Sequence, residues 1–275
     1  MKSIRMDMTF SLIQEIRLIH ALAESDFLIN VPEKEAYKFL RLNEKFGLQL
    51  GCSNEGYHSK NLLKVSHPEP LTSIGSLSRP LIFPHVLTEY CHSLWSTKRK
   101  YRYSFVGLIT PKRKCLMNNW IKENITPRDV NVSYQGSLRF KIRQKLYSLV
   151  GLDDTQKIQA GDLLLWFSMK GRRFPIKAWD EEYFNILGNS QYVLCPSGDC
   201  DWSYRFFEAI LCGAMPIVEK NCPCYEGFRF ISFEDKVKTL SWSKEDADYN
   251  YRLCCERITL PKIALNNELN RLMGF

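Results

Sequence analysis

Apolar residues along this chain follow two rhythms: short unbroken runs that stop at glycine or proline, and longer stretches spaced three and four apart. Residues 26–31 are a short apolar run closed by Pro32. Residues 33–46 then carry apolar side chains at helical spacing, so the pair reads as a strand followed by a helix. Residues 51–80, rich in Gly, Ser, Asn, His and Pro, read as loops before a second apolar run, 80–83, stops at Pro84. Residues 90–100 read as a linker or a short helix. The alternation then restarts. Residues 103–107 form a strand ending in glycine, Thr110 and Pro111 supply an N-cap and first helical position, and 113–122 fit a helix. Residues 130–134 follow, and Leu138, Phe140 and Ile142 then alternate with Arg139, Lys141 and Arg143 as a basic-faced strand or part of a helix. Residues 163–167 are another apolar run, 183–187 a short helix, 191–194 a strand, 203–212 a helix and 215–218 a strand. Residues 244–273 are mostly helical, with Pro261 starting the last helix. Strands alternating with helices predict an α/β fold with a parallel sheet covered on both faces.

The length of 275 residues, 45% hydrophobic and 25% charged, is globular and excludes disordered, collagenous and coiled-coil chains. It allows two compact parts, expected at 1–96 and 97–258, with 259–275 as a closing helix returning to the first. No run approaches the roughly 20 apolar residues that span a bilayer. Asp7, Gln14, Glu15, Arg17 and His20 interrupt the N-terminal apolar residues, so a signal peptide is not expected and a cytoplasmic location is. Ten cysteines without a regular spacing read as reduced thiols. Cys195 and Cys200, Cys222-Pro-Cys224 and Cys254-Cys255 leave structural zinc as the alternative, but no C-x-x-C occurs and the histidines lie elsewhere.

The net charge of +8 is uneven. Between Glu89 and Glu123 there is no acid, yet Lys98, Arg99, Lys100, Arg102, Lys112, Arg113, Lys114 and Lys122 occur. Further acid-free clusters hold Arg139, Lys141, Arg143 and Lys145, and Lys170, Arg172, Arg173 and Lys177. Such clusters suit a phosphate-bearing partner, nucleic acid or nucleotide, or else a solvated face. The most informative stretch is 190–218, SQYVLCPSGDCDWSYRFFEAILCGAMPIV. A strand empties into a Pro-Ser-Gly loop, and the next helix carries Ser203, Tyr204 and Arg205 in its first turn. A helix N-terminus beside an arginine suits a diphosphate. Glu208 lies three residues on, one turn deeper, where a carboxylate can accept from two ribose hydroxyls; the alternative is an Arg205–Glu208 pair on a solvated helix. Ala209 and Gly213 are small at i and i+4, which would let the helix lie close to the sheet.

This stretch resembles the exostosin-like glycosyltransferases through Tyr192, Leu194, Cys195, Pro196, Gly198, Ser203, Arg205, Phe206, Glu208, Ala209, Gly213, Pro216 and Ile217. Residues 103–107 with Arg113 resemble the family's first strand and the arginine after it. The resemblance spans about residues 81–220. It implies a GT-B architecture, two Rossmann-like domains facing a cleft, and an inverting transfer from a UDP-sugar to a hydroxyl of an oligosaccharide or glycan acceptor. Carried over, Arg205 neutralises the diphosphate, Glu208 holds the ribose, Ser203 and Tyr204 border the phosphates with Ser197 and Gly198 of the loop, and Gly107 and Arg113 approach from the first strand. Three departures stand out: Ser197 replaces a frequent arginine, which Lys170, Arg172 or Arg173 would have to supply; the N-terminal half is trimmed; and no membrane anchor is seen.

Inversion needs a general base for the acceptor hydroxyl and a stabilised UDP leaving group. His85, just past the run ending at Phe83, is the candidate base, with Glu89, Glu55 and Asp26 as rivals. No metal or other cofactor is expected. Asp199-Cys-Asp201 in the loop keeps a divalent ion as the alternative, whereas Asp246-Ala-Asp248 reads as part of a charged helix. Pro216 stands eight positions after Glu208, where retaining enzymes often carry a second glutamate. Xylose or galactose is the favoured sugar, because no arginine is assigned to a sugar carboxylate. The competing readings are a GDP-fucose-dependent fucosyltransferase and, in another class, a nucleic-acid-binding module using Tyr101, Tyr103 and Phe105 beside Arg99 and Arg102.

Overall fold

The computed structural model describes residues 2–48, 50–53, 56–58, 62–125, 155–168, 176–235 and 240–274. The chain is mixed α/β and divides into two units: Met1–Ser93 with Phe174–Glu181 and Arg252–Phe275, and Leu94–Arg173 with Glu182–Tyr251. The basic-faced segment expected at 138–143, the segment 130–134, and Lys170, Arg172 and Arg173 lie outside the described residues.

In unit 1, β1 (Ser3–Arg5), β2 (Leu28–Asn30), β3 (Leu50–Gly51) and β4 (Tyr57–His58) form a parallel sheet in the order β3-β2-β1-β4. Ile4 and Ile29 of this sheet share a core with Ile16, Ile19 and Leu22 of the helix Ile13–Leu22 and with Leu265 and Leu269 of the helix Lys262–Met273. The single helix expected over 33–46 is a 3-10 turn, Glu33–Lys38, followed by an α-helix, Leu40–Phe46. Ala36, Phe39 and Leu42 explain it: they turn inward at a spacing of three, the period of the tighter helix. The region expected as loops contains an antiparallel sheet of β5 (Leu63–Ser66), β6 (Leu71–Ile74) and β7 (Leu77–Arg79). The apolar run 81–83 is fully buried but joins no strand ladder, flanked as it is by two prolines that lack a donor; Phe83 N donates instead to Ile258 O at 2.7 Å. After it comes the helix His85–Ser93, which runs into the stretch 90–100 read as a linker or a short helix.

In unit 2, β8 (Tyr101–Leu108), β9 (Thr155–Ala160), β10 (Leu163–Ser168), β11 (Ser190–Cys195), β12 (Met215–Val218) and β13 (Ile231–Ser232) form one sheet in the order β13-β12-β11-β8-β10-β9. Every pairing is parallel except β9 on β10. Leu163, Leu165 and Phe167 enter one core and Leu164 and Trp166 another, so the middle of the sheet is covered on both faces, as an unbroken apolar strand requires. The edge strand β9 alternates exposed and half-buried residues and joins β10 through Gly161, whose φ of 58° suits the two-residue turn.

The chain runs from β8 to β10 on one side, then returns to β11 on the other. Among the described strands, the β8/β11 boundary is therefore where strand order reverses. In open parallel sheets the carboxyl ends of the strands at such a reversal form the crevice where ligands bind.

Candidate functional site

The residues singled out in unit 2 collect at that reversal. Thr110 caps the helix Pro111–Asn124, its side chain accepting from Arg113 N at 3.3 Å, with Pro111 at the first helical position. This first turn sends Arg113 back across the crevice. Its Nε donates to Ser197 O at 2.8 Å and its Nη1 to Leu108 O at 3.0 Å, so one guanidinium ties the β8 loop to the β11 loop. Gly198 gives it room: a Cβ there would lie 2.8 Å from Arg113 Nη2.

Arg205 approaches from the other side. Its Nε donates to Val106 O at 2.8 Å, and its guanidinium lies 4.5 Å from the Phe105 ring centroid. A Cβ on Gly107 would overlap Arg205 Nη2, so glycine is the residue that lets the guanidinium lie on the strand. Arg205 is 9% exposed and its Nη1 is buried with no hydrogen-bond partner among the described residues. Burial, and then the like charge of Arg205, pushes Arg113 down to about 10 against the pull of Asp199 and Glu219. Two cations crowded together, one with an unmatched buried donor, are arranged for an anion.

Ser203 is the N-cap of the helix Tyr204–Leu211. Its hydroxyl makes no capping bond, and its backbone N donates to Tyr225 Oη at 2.6 Å. Tyr225 stacks on Phe206 at 3.7 Å, and burial holds its phenol well above the ordinary range, so it stays protonated. Tyr204 is half-buried at the head of the helix, its ring 6.1 Å from that of Trp202. Glu208, 7% exposed, accepts from Tyr183 Oη at 2.6 Å, while Arg205 is held by Val106; the two helix residues keep separate partners. Ser197 is buried, and its N donates to Glu219 Oε2 at 3.2 Å. Burial alone would raise the Glu219 carboxyl, but hydrogen bonds from Lys112 and Ser197 outweigh it and hold the group below its ordinary value. Burial pushes the Cys195 thiol up to about 12, which leaves it an unreactive filler at the end of β11.

Arg99 closes the opposite end of this substructure. Its Nη1 donates to Gly188 O, Ser190 O and Cys212 O at 3.1, 2.8 and 3.1 Å, and the guanidinium lies 4.5 Å from the Trp242 centroid. Gly213 follows the helix Tyr204–Leu211, as the expected bounds 203–212 had it; it stops the helix at a φ of 71° and lies under Trp95 and Arg99.

Gly107, Arg113, Ser197, Gly198, Ser203, Tyr204, Arg205 and Glu208 thus all belong to unit 2. His85 belongs to unit 1, where it opens the helix His85–Ser93 rather than ending a strand. Its Nε2 lies 2.9 Å from Leu260 O and so carries a proton, leaving Nδ1 as the basic nitrogen. Glu24 caps that helix by accepting from His85 N and Val86 N. Of the rival bases, Asp26 is paired with Lys262 at 2.8 Å, Glu89 lies within the same helix as His85, and Glu55 is outside the described residues. Asp201 pairs with Lys220 at 2.7 Å, and Asp248 with Lys244 at 2.7 Å within the helix Lys244–Ile258. Among the described residues no disulfide joins any of the ten cysteines, no three His, Cys, Asp or Glu side chains are grouped to hold a metal ion, and no helix is long and apolar enough to cross a membrane.

Tyr183, Glu219 and Tyr225 are parts of this site that sequence patterns did not single out. Each acts through a tertiary contact, and none stands in a motif.

No protein-family model matches the chain, and no curated protein matches it. Among solved structures, it aligns over 100% of its length with 99% of Anabaena Alr3699/HepE in complex with UDP-glucose, at 12% identity and a TM-score of 0.45. The same protein in complex with UDP aligns at 11% identity over all of both chains with a TM-score of 0.47. The N-terminal domain of Candida albicans trehalose-6-phosphate phosphatase aligns at 12% identity over 99% of this chain and 70% of its own, with a TM-score of 0.38.

Proposed function

We propose that the chain is a glycosyltransferase whose unit 2 binds a UDP-sugar, and that it transfers the sugar with inversion to a hydroxyl of a glycan acceptor. The observation that carries this reading is the pair of guanidiniums, Arg113 and Arg205, brought together at the strand-order reversal beside Glu208 and the start of the helix Tyr204–Leu211. A diphosphate would take the buried Nη1 of Arg205, the Arg113 guanidinium and the start of the helix Tyr204–Leu211. One turn deeper, the Glu208 carboxylate is placed for ribose hydroxyls. During transfer, negative charge builds on the leaving diphosphate, where the two guanidiniums already stand, so the group is stabilised without reorganisation. Charge neutralised by side chains in this way predicts activity that survives chelation. In this reading the acceptor proton goes to His85 Nδ1, and xylose or galactose is the favoured sugar; the motif resemblance supports the inverting course.

Calorimetry with UDP, GDP and single-stranded RNA tests the assignment, using the full chain and its Arg205→Ala and Glu208→Ala variants with and without EDTA. UDP binding that survives EDTA and weakens at least tenfold in both variants is the expected result. Preference for GDP would redirect the reading to fucosyl transfer. RNA binding without nucleotide binding would overturn it. A His85→Ala variant is expected to keep UDP affinity while losing transfer, and unchanged transfer would remove His85 as the base.

A further inference from the structure

Glu208 and Arg205 stand three apart on one helix, the spacing at which a carboxylate and a guanidinium ordinarily close on each other. In this structure each is drawn elsewhere. Arg205 Nε is bound to Val106 O, and Glu208 Oε2 accepts from Tyr183 Oη at 2.6 Å. Tyr183 comes from a different helix, Glu181–Gly188, and its ring is wedged against the cluster of Tyr101, Val106, Leu164 and Ile186, with Phe184 edge-on at 5.1 Å. Val106 stands at both anchors: its carbonyl holds the arginine, and its side chain belongs to the cluster against which the tyrosine packs.

We propose that Tyr183 is a positioning residue for nucleotide recognition: it keeps the Glu208 carboxylate off Arg205, so that the carboxylate faces the ribose and the guanidinium keeps its charge for the diphosphate. This rests on the UDP-sugar reading of the same site. Without the hydroxyl that bond is lost, and a carboxylate that turns toward Arg205 costs both ligand groups at once. A ring that only fills space would leave nucleotide selectivity unchanged when its hydroxyl is removed.

The experiment compares UDP with 2′,3′-dideoxy-UDP by calorimetry on the full chain, for the wild type, Tyr183→Phe and Glu208→Ala. A carboxylate accepting from ribose hydroxyls gives the wild type a preference for UDP of about 10- to 100-fold. Glu208→Ala is expected to abolish that preference. Tyr183→Phe is expected to reduce it below about threefold and also to weaken dideoxy-UDP, because Arg205 is then partly neutralised. Thermal melting without nucleotide identifies any variant that fails to fold. Should Tyr183→Phe prove unstable, Tyr183→Met, which fills much of the space and carries no hydrogen-bond donor, replaces it. If Glu208→Ala loses the preference while folded Tyr183→Phe keeps it, the positioning role is wrong and the ribose role of Glu208 stands. A Glu208→Ala variant that keeps the preference, or a wild type that does not bind UDP, overturns the parent reading and the role of Tyr183 with it.

Discussion

Replacing Gly107 by alanine tests the geometry of the site through one added carbon. The new Cβ would overlap Arg205 Nη2, and the residue holds a φ of 156°, which side chains rarely adopt. Two costs follow, and they separate experimentally. Backbone strain of about 1–3 kcal/mol lowers the melting temperature regardless of ligand. Displacement of the guanidinium removes its hydrogen bond to Val106 O and moves its charge off the crevice. A charge-assisted hydrogen bond contributes about 1.5–3 kcal/mol, so UDP affinity is expected to fall about 10- to 150-fold. Uridine, which lacks the phosphates, should bind nearly as before. Calorimetry on wild type, Gly107→Ala, Arg205→Ala and the double variant completes the cycle. If glycine acts by seating the arginine, adding Gly107→Ala to Arg205→Ala costs little further UDP affinity. A loss that is the same in both backgrounds would refute the seating role.

Other consequences are equally direct. His20 is fully buried, and burial, followed by the charge of Arg17, holds its imidazole well below the ordinary 6.5, so it folds neutral. The unfolded chain gains a proton below about pH 6.5 that the folded one does not, so stability is lost as pH falls through that value, at up to about 1.4 kcal/mol per pH unit. Urea midpoints at pH 7.5 and 5.5 should show this loss, and His20→Gln should flatten it; an unchanged slope would mean that another group is responsible. Arg99→Met strands three carbonyls and is expected to destabilise the chain by about 2–4 kcal/mol in urea unfolding. Tyr225→Phe keeps the stack on Phe206 but leaves Ser203 N without its acceptor, a loss of about 1 kcal/mol with a several-fold weaker UDP affinity. Equal affinity in that variant would show that the helix start does not depend on the phenol.

The parts of the fold legible in the sequence were those whose signal is local. Residues 191–194 and 215–218 are short, largely apolar runs near Ser190, Pro196 and Gly213, and Thr110-Pro111 carries its capping chemistry in two letters; both are found where expected. The sheet β5–β7 was not legible, because its leucines sit singly among Ser, Thr and Lys in strands of three or four residues. The run 81–83 misled for the opposite reason: it has the burial of a strand without its ladder. Within the site, Arg205 and Glu208 were marked by spacing along one helix. Tyr183 was not, since the bond that defines it joins residues 25 apart in the chain.

Arg99 gathers the ends of both helices that meet in that bond: Gly188 ends the helix bearing Tyr183, and Cys212 follows the one bearing Glu208. Tyr183 lies five residues from its pinned end, a lever of about 7.5 Å at 1.5 Å per residue. A tilt of about 10° at the pin therefore sweeps the tyrosine by about 1.3 Å, enough to part a hydrogen bond of ordinary length. The far end of unit 2 thus sets the aim of its ligand-facing end. A substitution at Arg99 that leaves the protein folded should register first as a change in nucleotide selectivity, measured a full helix away from any phosphate.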